Sequence, residues 1–129
     1  YPTFRYRDAI RMIDWLQQAF GFTVRVKYTE DGKVGHAELA LGSSMIMLGS
    51  VRDDDYGAIV GEPGQQGGKG LYVAVDDCDA VHERAKAAGA TILEPPTDRH
   101  YGSREFMCAD PEGNVWGFGT YWPKADEPA

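Results

Sequence analysis

Cysteine is scarce in this 129-residue chain: Cys78 and Cys108 stand far apart, with no Cys-x-x-Cys spacing. That argues against a cysteine-held zinc site or a disulfide framework and leaves two buried thiols packing as small apolar groups. No apolar run is long enough to span a bilayer and no signal-like segment is present, so the expected location is cytoplasmic. Basic charge is also short. Thirteen Lys and Arg face twenty Asp and Glu, a net charge of −7, which argues against nucleic acid or an anionic membrane as partner and suits a neutral or cationic small ligand. Hydrophobic residues make up 43% of the chain, enough for one ordinary globular core.

What is present is a segment that occurs twice. Asp8 to Gly21 and Asp76 to Gly89 each run from an Asp through a helical stretch to a Gly thirteen positions on. An extended run precedes each copy and strand-like runs with tight turns follow. The chain reads as an α+β protein of two tandem β-α-β-β-β modules with curved mixed sheets. Two copies cannot form a solenoid, so packing the modules side by side makes the cleft between them the expected binding site. The expected organisation is a single domain over 1–129: module 1 at about 1–50, a linker over 51–69, module 2 at about 70–121 and a tail over 122–129.

In the first module Asp8 caps a helix of about residues 8–19 carrying Ile10, Ile13, Leu16 and Phe20, with Met12 and Trp15 widening the stripe; Gly21 ends it. Phe22, Val24, Val26 and Tyr28 then alternate with polar residues as a half-buried strand, and Asp31-Gly32 marks a hairpin. Strands follow at 34–41 and 44–50. The second module repeats this with a strand at 71–75 and a helix from Asp77 to about Ala88, whose apolar face is Ala80, Val81, Ala85 and Ala88. Extended pieces at 91–94, 103–109 and 114–121 follow, the last two joined by the turn Asp110-Pro111-Glu112-Gly113-Asn114.

The stretch from Ser50 to Lys69 is rich in glycine and charge and reads as a lid, binding loop or linker without regular structure, with Tyr56 and Ile59 offering apolar contacts to a guest. Its Gly64-Gln65-Gln66-Gly67-Gly68-Lys69-Gly70 lacks the first Gly and the final Ser or Thr of a phosphate loop, so nucleotide binding is rejected. Asp53-Asp54-Asp55 reads as a solvated charge run.

The paired modules, the Asp110-to-Asn114 turn and the run Tyr101-Gly102-Ser103-Arg104-Glu105-Phe106 together resemble the vicinal oxygen chelate superfamily, in its glyoxalase and bleomycin-resistance-like branch. The resemblance covers essentially the whole chain. It implies metal ligands on the first and last strand of each module. Counted from the shared landmarks, those positions fall on Tyr1, Met47 (or Ile46), Gly70 and Gly117, none a usual ligand for a hard or borderline cation. The expectation is therefore no metal and no cofactor. Homodimerisation is implied by the resemblance alone.

Strand alternation sorts the remaining candidates. With Phe4 and Tyr6 turned to the core, Tyr1, Thr3 and Arg5 point to the cleft. His36 and Glu38 join them if Ala37, Leu39 and Leu41 face the helix. Met45 and Met47, Gly70 and Tyr72, Arg104 and Phe106, and Gly117, Gly119 and Tyr121 complete the set. His82 reads as a solvent-facing helix residue. His36 with Glu38 is either a ligand-orienting or acid–base pair or a polar pair bonded within the sheet. The aromatics either wall a planar guest or fill the space themselves. The functional expectation is a metal-independent binding protein for an aromatic or cationic small molecule, resembling antibiotic-sequestering proteins. The alternative is a glyoxalase-like lyase or isomerase that uses His36 and Glu38.

Overall fold

The computed structural model describes residues 1–64 and 67–128. Gln65 and Gln66 of the expected linker and Ala129 of the expected tail lie outside the described residues. The chain divides after Gly64 into two compact units.

The first unit runs β1 (Thr3–Tyr6), α1 (Ala9–Phe20), β2 (Thr23–Glu30), β3 (Lys33–Leu41), β4 (Ser44–Ser50) and α2 (Asp55–Val60). Its four strands form one mixed sheet in the order β1-β4-β3-β2, with β1 parallel to β4 and the other pairs antiparallel. Asp8 caps α1 by accepting from the Arg11 amide at 3.1 Å, and Gly21 closes it in the left-handed region at φ 86°. The stripe packed on the sheet is Ala9, Met12, Ile13, Trp15, Leu16, Ala19 and Phe20. Ile10, expected in that stripe, is 41% exposed, because the adjacent Ala9 takes the inward direction at the first turn. Val34, Ala37, Leu39, Ile46 and Leu48 meet the helix from the sheet and are buried. At the Asp31-Gly32 turn both residues have positive φ (51° and 74°), the backbone a two-residue hairpin needs. β2 is an edge strand with register shifts at Val24/Val26 and Tyr28/Thr29, so Val24 and Tyr28, expected half-buried, are exposed.

The second unit repeats the plan: β5 (Leu71–Ala74), α3 (Cys78–Ala87), β6 (Thr91–Asp98), β7 (Arg104–Ala109) and β8 (Val115–Gly119), in the sheet order β5-β8-β7-β6. Asp77 caps α3 through the Ala80 amide at 3.1 Å. β6 extends four residues past the expected end, through Pro95-Pro96, where the pairing with β7 shifts register between Glu94 and Thr97. An edge strand tolerates those prolines because their missing N–H groups face no ladder partner. The core is aromatic: Phe106 stacks on Phe118 at 5.1 Å and Phe118 on Trp116 at 6.4 Å. Buried Asp110 organises the turn before β8. Its Oδ1 accepts from the amides of Glu112 and Asn114, and its Oδ2 accepts from Trp116 Nε1 at 3.0 Å, so the turn is pinned directly to the core ring. Among the described residues no helix is long and apolar enough to cross a membrane.

Candidate functional site

Each sheet buries one face against its helix and leaves the other open. In the first unit the open face is set by the register Thr3–Met47–Glu38, which crosses β1, β4 and β3. Alternation adds Arg5, Met45 and His36 to the same face. Glu38 is its polar centre: His36 Nε2 lies 2.9 Å from Oε2, and Arg25 donates a short bond to Oε1. The hydrogen bond to His36, then Arg25, holds the Glu38 carboxyl below its ordinary range against the opposing effect of burial.

Arg5 is engaged differently. Its two terminal nitrogens donate to Asp54 Oδ1 and Oδ2 at 3.1 Å each, and its guanidinium lies 4.7 Å over the Tyr56 ring. Asp54 also caps α2, accepting from the Gly57 amide at 2.7 Å. Two corrections follow. The stretch after Ser50 contains a helix where no regular structure was expected, and Asp54 is a structural anchor, not a solvated charge. Tyr56 is accordingly the stacking partner of Arg5. Tyr1 precedes β1 and is exposed, and the neighbour of Met47 in the parallel register is Thr3.

In the second unit β7 requires a larger correction. Phe106 is 0% exposed and packs against Phe118 and His82, so the phase of 104, 106 and 108 faces α3. His82 is thus part of that packing and not solvent-facing. Arg104 follows the same phase, its Nε on Asp79 of α3 and its Nη1 3.1 Å from Asp98. Glu105 and Met107 occupy the open face instead, aligned with Gly119 and Gly117. Buried Cys108 carries the signal for this phase, since 104, 106 and 108 must share its face.

Tyr72 dominates the open face. It is the register partner of Gly117, its Cδ2 lies 3.9 Å from where a Gly117 Cβ would stand, and its hydroxyl 2.5 Å from where a Gly119 Cβ would stand. The ring therefore lies along the two glycines, and its hydroxyl donates to the Tyr121 carbonyl at 2.6 Å. Tyr121 follows β8, exposed, with its ring edge-on to Tyr101 at 6.0 Å. An open hollow of about 210 Å³ is lined here by Gly70, Leu71, Tyr72, Arg99, Glu105, Met107, Val115 and Gly117, with Phe106 and Phe118 also bordering it. Sequence reasoning missed Arg99, Glu105 and Met107.

The two register pairs, Thr3–Met47 and Tyr72–Gly117, supply a hydroxyl, a thioether, a phenol and no side chain. These residues do not fit the carboxylate and imidazole set a divalent metal takes. Among the described residues, no three His, Cys, Asp or Glu side chains come together as a metal would require.

The profile of the Glyoxalase/Bleomycin resistance protein/Dioxygenase superfamily matches residues 1–118. An uncharacterized protein of Mycobacterium bovis is 33% identical over 119 residues, 87% of this chain and 76% of that one. TioX from Micromonospora sp. ML1 superposes with a TM-score of 0.74 at 32% identity, covering 93% of this chain and 95% of TioX. TnmS3, an antibiotic binding protein from Streptomyces sp. CB03234, shares the fold at 22% identity and a TM-score of 0.67, covering 90% of this chain and 88% of its own. By sequence profile, relatives and architecture, this chain belongs to the Glyoxalase/Bleomycin resistance protein/Dioxygenase superfamily.

Proposed function

We propose that this chain is a small-molecule binding protein that holds an aromatic drug or metabolite without a metal, as an antibiotic-sequestering member of its family. The observation that carries this is the Tyr72 ring laid along Gly117 and Gly119 on the open face of the second sheet. The glycines let the Tyr72 ring lie close against the strand, and Tyr72, Met107 and Val115 supply flat or polarizable apolar surface to the hollow. At about 210 Å³ the hollow is below the roughly 300 Å³ at which drug-sized pockets begin, so it suits one planar ring system. TnmS3, which shares the fold, is an antibiotic binding protein, and this supports a small-molecule guest here.

The lyase or isomerase reading needs His36 and Glu38 to exchange protons near neutral pH. Glu38 is held ionised by His36 and Arg25, which suits an orienting acceptor better than an acid or base tuned to neutrality. A cytoplasmic homodimer belongs to the same proposal and is tested by sedimentation equilibrium. The binding reading is tested by isothermal titration calorimetry against a panel of planar aromatic antibiotics, with product analysis after long incubation. Saturable binding with unaltered ligand is expected. Turnover abolished by His36→Gln, with binding untouched by Tyr72→Ala, would reverse the choice.

A further inference from the structure

Glu105 has no role in the reading above beyond lining the hollow, yet its carboxylate is unevenly used. Tyr101 Oη donates to Oε1 at 2.7 Å, and Arg99 Nε lies 3.5 Å from the same oxygen. Oε2 takes no hydrogen bond from any described residue and is left to solvent, in a side chain that is 17% exposed. A carboxylate oxygen left to water at the wall of a hollow is open to a donor from a guest. The Tyr101 phenol is pushed up chiefly by its hydrogen bond to Glu105. Arg99 does not neutralise the site, because it also serves Glu94 through Nη2.

Two aromatic rings flank this carboxylate. Tyr101 is exposed beside it, and the Tyr72 hydroxyl and Glu105 Cγ crowd the same point above Gly119, at 2.5 and 2.7 Å from a Cβ built there. Tyr72 and Glu105 both line the hollow, so a planar guest laid against Tyr72 there can bring its edge to Glu105. A carboxylate beside such an aromatic wall receives a protonated nitrogen through a charge-assisted hydrogen bond. The net charge of −7 draws cations toward the chain.

Resting on the aromatic-binding reading of this hollow, we infer that the guest is a planar aromatic cation whose protonated nitrogen is received by Glu105 between Tyr72 and Tyr101. Calorimetry on the full chain with two probes of one ring size, 9-aminoacridine as the cation and acridine as its neutral counterpart, tests this at neutral pH. The cation should bind at least about tenfold more tightly than acridine, and Glu105→Gln should remove that advantage while leaving acridine affinity within about twofold. On the unmutated protein, raising salt should weaken the cation alone; this comparison decides the matter if Glu105→Gln does not fold. Tyr101→Phe keeps the ring and releases Oε1, so the advantage should persist. Equal affinities for both probes, unmoved by Glu105→Gln and by salt, would overturn the cation inference and leave the aromatic-binding reading standing. Loss of the advantage in Tyr101→Phe would also overturn it, because Glu105 would then be acting through Tyr101. Failure of both probes to bind would sink the two together.

Discussion

The Tyr72 hydroxyl donates to the main-chain carbonyl of Tyr121 at 2.6 Å, so a ring rooted in β5 reaches along β8 and holds the segment that follows it. This contact separates two roles that one side chain combines. Tyr72→Phe keeps the flat surface and loses the bond, and should cost about 0.5–1.5 kcal/mol of stability in urea denaturation with little change in aromatic affinity. Tyr72→Ala removes the surface as well, and should weaken a stacked guest by about 1–3 kcal/mol in calorimetry. Equal affinities for the two variants would mean that the ring does not touch the guest.

The phase of β7 gives a second prediction. Phe106→Ala should cost about 3–5 kcal/mol, the range for emptying a core aromatic site, because the ring is stacked on Phe118 and covered by His82. Met107→Ala, on the open face, should cost far less stability and more affinity. A thermal-melt and binding comparison of the pair distinguishes the two faces, and the reverse pattern would restore the sequence-based phase.

Only Cys108, two residues past Phe106, marks the phase of β7, and the four residues from Arg104 do not. Arg104-Glu105-Phe106-Met107 runs charged, charged, apolar, apolar, so both phases of a two-residue period show the same polarity and alternation cannot choose between them. Where signals are local the reading held: Asp8 caps its helix, Gly21 ends it, the second helix starts at Asp77, and Asp31-Gly32 turns the hairpin. Helix α2 was invisible because six residues carry too little periodicity, and its anchor is Arg5, 49 positions away from Asp54. The same distance in sequence hid the site. Glu105 and Met107 meet Tyr72 only through strand register, which the order β5-β8-β7-β6 creates and no short motif encodes, and Arg99 reaches the hollow from just past the end of β6.

The register pairs Thr3–Met47 and Tyr72–Gly117 predict weak metal affinity. Elemental analysis of protein dialysed against zinc, nickel, manganese or iron salts should find well below one ion per chain. One tightly held ion lost on changing Glu38 or Glu105 would contradict the assignment.

Asp54 predicts a pH response confined to the acid range. Its carboxyl is lowered from 3.8 to about 2, chiefly by the hydrogen bonds from Arg5 and next by the Gly57 amide. A depressed folded value means that the ionised form favours the anchored helix. The contribution is complete above about pH 4, declines as pH falls from 3.8 toward 2, and is gone below that. Carbon-13 NMR of the carboxyl should show a midpoint well under 3.8, restored toward that value by Arg5→Gln. A midpoint already at 3.8 in the unmutated chain would show that the Arg5 pair does not form in solution.

The two glycines under Tyr72 make the sharpest contrast. A Cβ on Gly117 would meet its neighbours at 3.7–3.9 Å, ordinary contact, so Gly117→Ala should fold normally and only reduce the depth of the hollow. A Cβ on Gly119 would stand 2.5 Å from the Tyr72 hydroxyl and 2.7 Å from Glu105 Cγ. The tyrosine end is a rigid ring held by the Tyr121 carbonyl, so it cannot swing aside without breaking that bond. Gly119→Ala should therefore cost about 1–3 kcal/mol, the usual penalty of overpacking, and displace both side chains assigned to the guest. Adding Tyr72→Phe removes the clashing oxygen and its bond together, so the double variant should recover part of that loss. Non-additivity of about 0.5 kcal/mol or more in the cycle is the expected reading. Strict additivity would mean that Tyr72 does not lie over Gly119.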